Sequence, residues 1–374
     1  MLEACDHTIT LALCGDLMTG RGIDQLLPDP CPKHLYESYV ANAEDYVELA
    51  EEACGPIPRP ASLSYPWGDA LSEFERVKPD VRIANLETAL TRSEDAWPGK
   101  GIHYRTSPEN ARLLAVAGVD CCALANNHVL DWGHAGLEET LRTLKTLGVR
   151  CAGAGADRSR AEAPAAIQLA DGKRVLVFSF ASRTSGVPES WAATETRPGV
   201  SLLPDLSDAT CTRIGALVRS HKRNGDLAIA SIHWGGNWGF EVPQEQRDFA
   251  RKLVETEAID VVHGHSSHHV KGIEVHRGRP ILYGCGDFLN DYEGIPGYES
   301  FRGDLGLLYF VTLDASHRGL VRLLMTPTRI RRLRVQRAGA NDARWLADTL
   351  NREGERFGTR VCSTDAGDLE LRWG

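Results

Sequence analysis

Six short apolar stretches of the chain each end in side chains that can bind a metal ion or move a proton. Carboxylate oxygens, amide oxygens and imidazole nitrogens are all ligands for divalent cations. One such residue after a strand is more often a turn or core residue, but six ends of this kind in succession indicate a common site. The residues concerned are Asp16, Asn85, Glu87, Asn126, Asn127, His128, His233, His263, His265, His268, His269 and Asp287.

The segment "LANNHVLDWG" carries most of this chemistry. Asn127 offers a carbonyl oxygen as a metal ligand, and its neighbour His128 is expected to face a substrate. Asp131, three residues later, can hold the imidazole of His128 in one tautomer. The segment therefore predicts a metal ligand and a general base side by side.

The apolar stretches that end in these residues have the length and composition of β-strands, and helix-period segments lie between them. In "HAGLEETLRTLKTLG", for example, Leu137, Leu141 and Leu144 form one apolar stripe and Gly148 ends the helix. The alternation predicts an α/β fold with mostly parallel strands. In such sheets ligands bind beyond the carboxyl ends of the strands, where the polar residues gather.

After about Tyr283 the pattern changes to consecutive strands, followed by a helix within residues 341–357. No repeat or linker interrupts the chain, so we expect one domain, 1–374, in which 319–374 is a C-terminal strand and helix extension packed on the core. We interpret the basic segment from Arg329 to Arg337 as the solvent-exposed face of a strand. The alternative is that it binds an anionic partner.

Composition excludes several classes of function. With 42% hydrophobic residues and a net charge of −9, the chain can bury a large core and has no overall attraction to nucleic acid or anionic membrane. No apolar run reaches the roughly 20 residues that span a bilayer. The N-terminal stretch has acids before a short apolar run and lacks the basic start of a signal peptide. The ten cysteines are scattered, without CxxC spacing, which predicts reduced thiols. We therefore expect a cytoplasmic protein.

Several motifs together resemble a known family. They are "GDLMTGRG", "ANLETALT", "LANNHVLDWGHAGLEETLRTL", "GAGA", "IHWGGNW" and "HGHSSHHVKGIEVHRGRPILYGCGDF", in this order between about Leu11 and Asp291. They are similar to the motifs of the bacterial capsule-synthesis protein CapA (poly-γ-glutamate) family. The resemblance implies a calcineurin-like metallophosphoesterase fold, a four-layer β-sandwich flanked by helices.

Carried over position by position, the resemblance implies one metal held by Glu87, Asn127, His233 and His265. A second metal would need a histidine two residues after Asp16, where this chain has Met18, and a thioether is a poor ligand for hard divalent ions. The expected cofactor is therefore one divalent ion and no organic group. The ion is expected to be Ca²⁺, Mg²⁺ or Mn²⁺, and zinc or iron is the alternative.

Without a second metal, two imidazole–carboxylate pairs are expected to face the substrate: His128 with Asp131, and His265 or His268 with Asp16. Two bases around a cation suit removal and return of a Cα proton. The family includes a lasso-peptide epimerase, which inverts the C-terminal residue of a ribosomal precursor peptide, so a peptide epimerase is the preferred function. The alternatives are a metal-dependent hydrolase of a phosphoester or a γ-glutamyl amide, and a non-catalytic capsule or peptide-binding protein.

Recognition of a peptide C-terminus would need a carboxylate clamp and an apolar surface. Arg21 is the first choice of clamp, since guanidinium binds a carboxylate through two parallel hydrogen bonds, and Arg183 and Arg302 are the others. Asn85, Asn126 and Trp234 complete the predicted substrate contacts. Other aromatic residues near strand ends either add to an apolar slot or only cover the sheet: Trp191, Trp238, Tyr292 and Tyr298.

Overall fold

A computed structural model of the chain describes residues 8–374, so the first seven residues of the N-terminal stretch discussed above lie outside it. The strands are β1 (Thr8–Leu17), β2 (Val81–Leu86), β3 (Ala89–Leu90), β4 (Arg105–Thr106), β5 (Cys121–Ala123), β6 (Arg150–Ala152), β7 (Ala154–Gly155), β8 (Ala165–Gln168), β9 (Arg174–Ala181), β10 (Gly199–Val200), β11 (Leu227–His233), β12 (Val261–His265), β13 (Ile273–His276), β14 (Arg279–Leu282), β15 (Asp287–Leu289), β16 (Leu305–Asp314), β17 (Leu320–Ile330), β18 (Val335–Arg337), β19 (Thr359–Ser363) and β20 (Leu369–Trp373). The α-helices are α1 (Gly22–Leu26), α2 (Glu44–Cys54), α3 (Ala70–Val77), α4 (Leu113–Val116), α5 (Gly133–Leu147), α6 (Arg158–Glu162), α7 (Asp208–His221), α8 (Gln244–Glu255) and α9 (Ala340–Gly354).

Two large sheets hold most of these strands. The first has the order β19-β20-β17-β16-β1-β2-β5-β6, with β15 beside β1 and β18 beside β17. The second has the order β13-β14-β12-β11-β9-β8. The segments β1-β2-β5-β6 and β9-β11-β12-β14 are parallel, as the alternation of strands and helices predicts.

Each central strand is apolar on both faces because both faces are covered. In β9, Val175 and Val177 point between the two sheets, whereas Leu176 and Phe178 point toward α7 and α8 on the outside. This alternation follows from the two-residue period of a strand. The same division runs through β1, so the layers are helices, sheet, sheet and helices. The predicted four-layer, calcineurin-like α/β sandwich is confirmed.

The C-terminal segment is part of the first sheet. β17 pairs with β16 over most of its length, and β20 and β19 continue the sheet outward. Leu346 and Leu350 of α9 pack into the core between the two sheets. Residues 320–373 therefore extend the sandwich itself.

Sequence patterns missed or misjudged some elements. α2 lies within the region between Pro28 and Tyr65, which lacks regular periodicity, and α3 was not predicted. The segment "SPENARLLAVAG" has the serine N-cap and the final glycine that predict a helix, but it forms only a short 3-10 turn followed by α4. The Ser107 hydroxyl still accepts a hydrogen bond from the backbone amide of Asn110 at 3.1 Å. Within the described residues, no helix has the length and apolar character needed to cross a membrane.

The basic run at β18 is neutralised by acids of neighbouring elements. Arg329 pairs with Asp342 at 3.2 Å, and Arg337 pairs with Glu73 at 2.7 Å. The side chain of Arg334 lies 3.4 Å from the carboxylate of Asp69. Because these guanidinium groups already have carboxylate partners, the run is a network of ion pairs that ties β17 and β18 to α3 and α9.

Candidate metal centre

The polar residues at the strand ends converge at one edge of the sandwich. Asp16 lies opposite Asn85 of β2 and Asp287 of β15, and His233 lies opposite His265. The approach of β15 depends on Gly15, because a Cβ there would lie 1.8 Å from the carbonyl oxygen of Gly286. The carboxyl ends of both sheets therefore share one buried cluster.

The four predicted metal ligands lie together, and Asp16 joins them. One ligand atom each from Asp16, His233 and His265 lies within 4.8 Å of the other two. Nε2 of His233 is 2.9 Å from Oδ1 of Asn127 and 3.7 Å from Oε1 of Glu87. Nδ1 of His233 and Nδ1 of His265 are 2.8 Å apart. The cluster thus offers carboxylate, amide and imidazole donors around one point.

Residues behind the cluster hold these donors in place. The amide of Asn85 donates to Oδ1 of Asp16 at 2.8 Å and to Oε2 of Glu87 at 3.2 Å, so it bridges the two carboxylates. The hydroxyl of Ser231 contacts Nε2 of His265 at 2.8 Å. Such outer partners fix the orientation of metal ligands.

The electrostatics of the cluster fit a divalent cation. Burial raises the pKa of the Asp16 carboxyl to about 7, and the Asp287 carboxylate adds to the increase. Burial and the charge of Asp16 raise the pKa of Glu87 well above its usual range. Burial keeps the imidazoles of His233 and His265 neutral by lowering their pKa values. Buried acids that repel one another beside neutral imidazoles are the donor set that a bound cation stabilises.

The pair of His128 and Asp131 is present as predicted. Nδ1 of His128 is 2.6 Å from Oδ2 of Asp131, which also accepts the backbone amide of Tyr104 at 2.7 Å. Burial lowers the pKa of His128 to about 4, although Asp131 opposes this shift. Nε2 of His128 points toward Glu87, 3.9 Å from its Oε1. The ring therefore turns its free nitrogen toward the metal ligands.

Lys100 also reaches this pair and was not found from the sequence. Its ammonium group contacts the carbonyl oxygen of Asn127, Oδ1 of Asp131 and, at 3.0 Å, Nδ1 of His128. It comes from the loop between β3 and β4, about 30 residues away along the chain. A lone lysine between two glycines carries no sequence signal of such a contact.

The second predicted pair needs a correction. His268 was expected to pair with Asp16, but its Nδ1 lies 2.8 Å from Oδ1 of Asp287. His265, the other predicted partner of Asp16, contacts His233 and Ser231 instead. β15 runs parallel to β1 and brings Asp287 beside Asp16, so the carboxylate nearest to His268 comes from the neighbouring strand. Burial acts to lower the pKa of His268, but Asp287 outweighs burial and raises it.

Asp287 also creates a second ligand group. Ligand atoms of Asp16, His268 and Asp287 lie within 4.8 Å of one another, so Asp16 belongs to both groups. Met18 takes no part, because its sulfur is buried and accepts a hydrogen bond from the hydroxyl of Tyr292 at 3.4 Å. The sequence therefore identified the weak position at residue 18 but not the acid that replaces it.

The predicted substrate contacts of Arg21 and Trp234 are corrected. The guanidinium of Arg21 is buried and binds the carboxylates of Asp291 and Glu37. Trp234 donates its indole N–H to the carbonyl of Tyr283 and packs in the outer core beside α8. Both side chains are used inside the fold, because a buried charge or indole N–H needs an internal partner.

Asn85 and Asn126 are likewise internal. Asn85 bridges two carboxylates, as described above. The amide group of Asn126 donates to the carbonyl of Leu86 at 2.8 Å, and its oxygen accepts the backbone amides of His128 and Val129 at 3.1 Å. The two asparagines therefore shape the site and are not directed at a substrate. Of the other clamp candidates, Arg302 pairs with Asp304 and Asp342, and Arg183 pairs with Glu189.

Comparison with known proteins agrees with the motifs. A family described as "Bacterial capsule synthesis protein PGA_cap" matches residues 10–292. A probable polyglutamine synthesis accessory protein of Mycobacterium tuberculosis is 45% identical over 364 residues, which cover 97% of this chain and 96% of that protein. The PGA biosynthesis protein CapA of Bacillus subtilis is 28% identical over 232 residues, or 59% of this chain and 57% of the relative. The chain belongs to the bacterial capsule synthesis protein PGA_cap family.

Proposed function

We propose that the chain is a metal-dependent enzyme that inverts the Cα of the C-terminal residue of a peptide. One observation carries the proposal: two imidazole–carboxylate pairs border the ligand cluster. In the pairs His128–Asp131 and His268–Asp287 the nitrogen–oxygen distances are 2.6 and 2.8 Å. Both imidazoles are 7% exposed, whereas the ligands His233 and His265 are almost fully enclosed.

The two pairs approach different carboxylates of the cluster. His128 approaches Glu87, and His268 approaches Asp16. Tyr104 lies against the ring of His128 and Tyr292 against the ring of His268, and the two tyrosine hydroxyls are 3.2 Å apart. We infer that a substrate Cα held over the cluster would lie between the two imidazoles.

Inversion needs one proton to leave and one to arrive. In the proposed direction, Nε2 of one neutral imidazole takes the Cα proton and the protonated imidazole opposite donates a proton to the other face of the carbanion. Each proton transfer by a positioned side chain accelerates the reaction by about 10²–10⁴-fold. The carboxylate behind each ring stabilises the imidazolium form. No redox step occurs, and the enzyme finishes with the protonation states of the two rings exchanged.

A divalent ion held by Asp16, Glu87, Asn127, His233 and His265 would supply positive charge next to the developing enolate. A Cα–H of a peptide is a very weak acid, so the bases alone would not suffice.

The substrate class is a peptide with a free C-terminus. The ribosomal precursor peptide implied by the resemblance to a lasso-peptide epimerase is one candidate. Glutamine and glutamate oligomers are another, because relatives of this chain are named for polyglutamine synthesis and PGA biosynthesis. Both kinds of peptide present the same group, a terminal carboxylate beside a Cα–H.

The test is isotope exchange combined with chiral analysis. Peptides of both kinds are incubated with metal-loaded protein in D₂O, then hydrolysed and separated on a chiral column. We expect a D-residue that carries one deuterium, in a peptide of unchanged length. Peptide shortening would replace the proposal with a hydrolase, and binding without any chemical change would reduce the protein to a peptide-binding role.

Two matched variants sharpen the test. His128→Gln and Asp287→Asn each disable one pair and leave the other intact. Each variant should still exchange deuterium into one stereoisomer of the substrate while inversion is lost. Exchange lost equally from both stereoisomers in both variants would show that the pairs do not serve opposite faces.

One observation favours a second candidate, a metal-dependent hydrolase of a phosphoester or a γ-glutamyl amide. Asp16 belongs to both ligand groups, and a shared carboxylate is typical of dinuclear sites that carry out in-line displacement. Assays with phosphomonoesters, phosphodiesters and γ-glutamyl amides, together with a count of bound metal ions, decide between the two. Two ions per chain and turnover of any of these substrates would favour the hydrolase.

A further inference from the structure

The three donors of Lys100 all face a single turn of the chain at the site. An ammonium group has three N–H donors and no acceptor. Those of Lys100 face the carbonyl oxygen of Asn127, Nδ1 of His128 and Oδ1 of Asp131. Its side chain is 19% exposed, and its nitrogen lies 5.3 Å from the ring centre of Trp191. The turn that carries a candidate ligand and a candidate base is thus held from one side by one cation.

The loop that carries Lys100 is fixed at its two ends and open in its middle. The backbone of Trp97 donates to the carbonyl of Asp131 at 2.8 Å, and that of Tyr104 donates to the side chain of Asp131. Gly99 and Gly101 flank the lysine, and a Cβ at either glycine would meet no atom within 4 Å. Lys100 therefore enters the site from a loop that surrounds Asp131.

Lys100 and Asp131 favour opposite protonation states of Nδ1 of His128. Nδ1 of His128 lies 2.6 Å from Asp131, which can only accept a hydrogen bond, and 3.0 Å from Lys100, which can only donate one. With the proton on Nδ1 the ring binds Asp131 and its Nε2 is a free acceptor. With Lys100 bound at Nδ1 the proton moves to Nε2, which becomes a donor. The balance between these two partners sets the role of Nε2.

We infer that Lys100 is a positioning residue: its ammonium group anchors the carbonyl of Asn127 and controls which ring nitrogen of His128 carries the proton. The inference rests on the proposed function only where reaction rates are concerned. It joins the candidate metal ligand and the candidate base in one hydrogen-bonded unit.

The first experiment does not depend on activity. The imidazole ¹⁵N signals are recorded for ¹⁵N-histidine-labelled protein, and those of His128 are identified by their loss in His128→Gln. In Lys100→Met the protonated fraction of Nδ1 should rise, because Asp131 then has no competitor. In Lys100→Ala, added methylammonium should reverse the change by refilling the position of the lost ammonium group.

The control is Lys145→Met, an exposed lysine of α5. It removes the same charge away from the site and should leave the His128 signals unchanged. Signals of His128 that are identical in Lys100→Met and in the wild type would overturn the inference. Reversal by methylammonium separates a direct effect from general misfolding, because a misfolded variant would not respond.

The second experiment measures rates. If the wild-type protein exchanges Cα–H, kcat of Lys100→Met should fall by about 10–100-fold with little change in KM, as for other residues that orient a metal site. The cause is the lost anchor on the Asn127 carbonyl, because displacement of the turn outweighs any gain in the form of His128 with a free Nε2. Wild-type kcat in this variant would contradict the positioning role. If the wild-type protein shows no exchange, the proposed function fails, and the ¹⁵N signals still decide the role of Lys100.

Discussion

Neighbouring residues in the turn after β5 are expected to have separable functions. Oδ1 of Asn127 faces the metal-ligand cluster, whereas the His128 ring is tied to Asp131 and turns its other nitrogen toward Glu87. The backbone amide of His128 is held by Asn126, so the turn does not depend on the His128 ring. Ligand and base can therefore be removed one at a time.

We predict that Asn127→Ala loses metal, while His128→Ala keeps nearly all of its metal and loses activity by about 10²–10⁴. Asp131→Asn keeps the shape of the pair but removes the charge that supports the imidazolium, so it should be less damaging than loss of the ring. Metal content by elemental analysis and the rate of Cα exchange are measured on the same samples. Equal loss of metal from all three variants would contradict this separation.

At the scale of elements, the ends of the strands could be predicted because each apolar stretch and the polar residues that end it are adjacent in the sequence. Parallel pairing then brings Glu87, Asn127, His233 and His265 to one edge of the sandwich. The pair of His128 and Asp131 was also predictable, since three residues separate them in one turn.

The remaining contacts depend on tertiary structure. Asp287 reaches His268 only because β15 lies beside β1, and Lys100 reaches His128 from a loop with no pattern of its own. Arg21 follows Asp16 closely in sequence, yet its side chain turns away to Asp291, 270 residues later. Packing and burial in the folded protein determine which of the possible partners a side chain contacts. The local periodicity of the sequence carries no information about this.

The ion-pair network of Arg21 joins three elements behind the site. Arg21 binds Asp291 after β15 and Glu37 before α2, and its guanidinium lies 3.9 Å from the ring centre of Tyr46. The side chains of Arg21, Asp291 and Glu37 are at most 2% exposed. Removal of the arginine would leave two buried carboxylates without a cation.

We predict that Arg21→Met lowers the free energy of unfolding by about 3–5 kcal/mol, the usual cost of breaking a buried ion pair. The control is Lys33→Met, which breaks the exposed pair with Glu44 and should leave the free energy of unfolding nearly unchanged. Urea unfolding of both variants gives the comparison. Similar small losses in the two variants would mean that the Arg21 network contributes specificity and little stability.

At the scale of the whole molecule, the cluster joins the two halves of the sandwich. Asp16 lies near the end of β1 and Glu87 follows β2 in the first sheet, whereas His233 and His265 end strands of the second. Without a cation, burial first and the Asp287 carboxylate second raise the pKa of Asp16, so the ionised cluster is unfavourable by itself. A bound ion would therefore act as a clamp between the sheets as well as a cofactor.

We predict that a divalent ion at 100 times its Kd stabilises the fold by about 2.7 kcal/mol, because it binds the native cluster and not the unfolded chain. Thermal unfolding is followed after exhaustive chelation and again with Mn²⁺, Mg²⁺, Ca²⁺ or Zn²⁺ added back. The ion that raises Tm most should also be the one that restores activity. Asn127→Ala should lose this response, whereas Lys145→Met, far from the cluster on α5, should keep it. Two results would contradict the prediction: no ion raises Tm of the wild-type protein, or Asn127→Ala responds as strongly as the wild type. Either result would mean that the ligand cluster does not hold the metal. A metal-dependent reaction could then not be assigned to this edge of the sandwich.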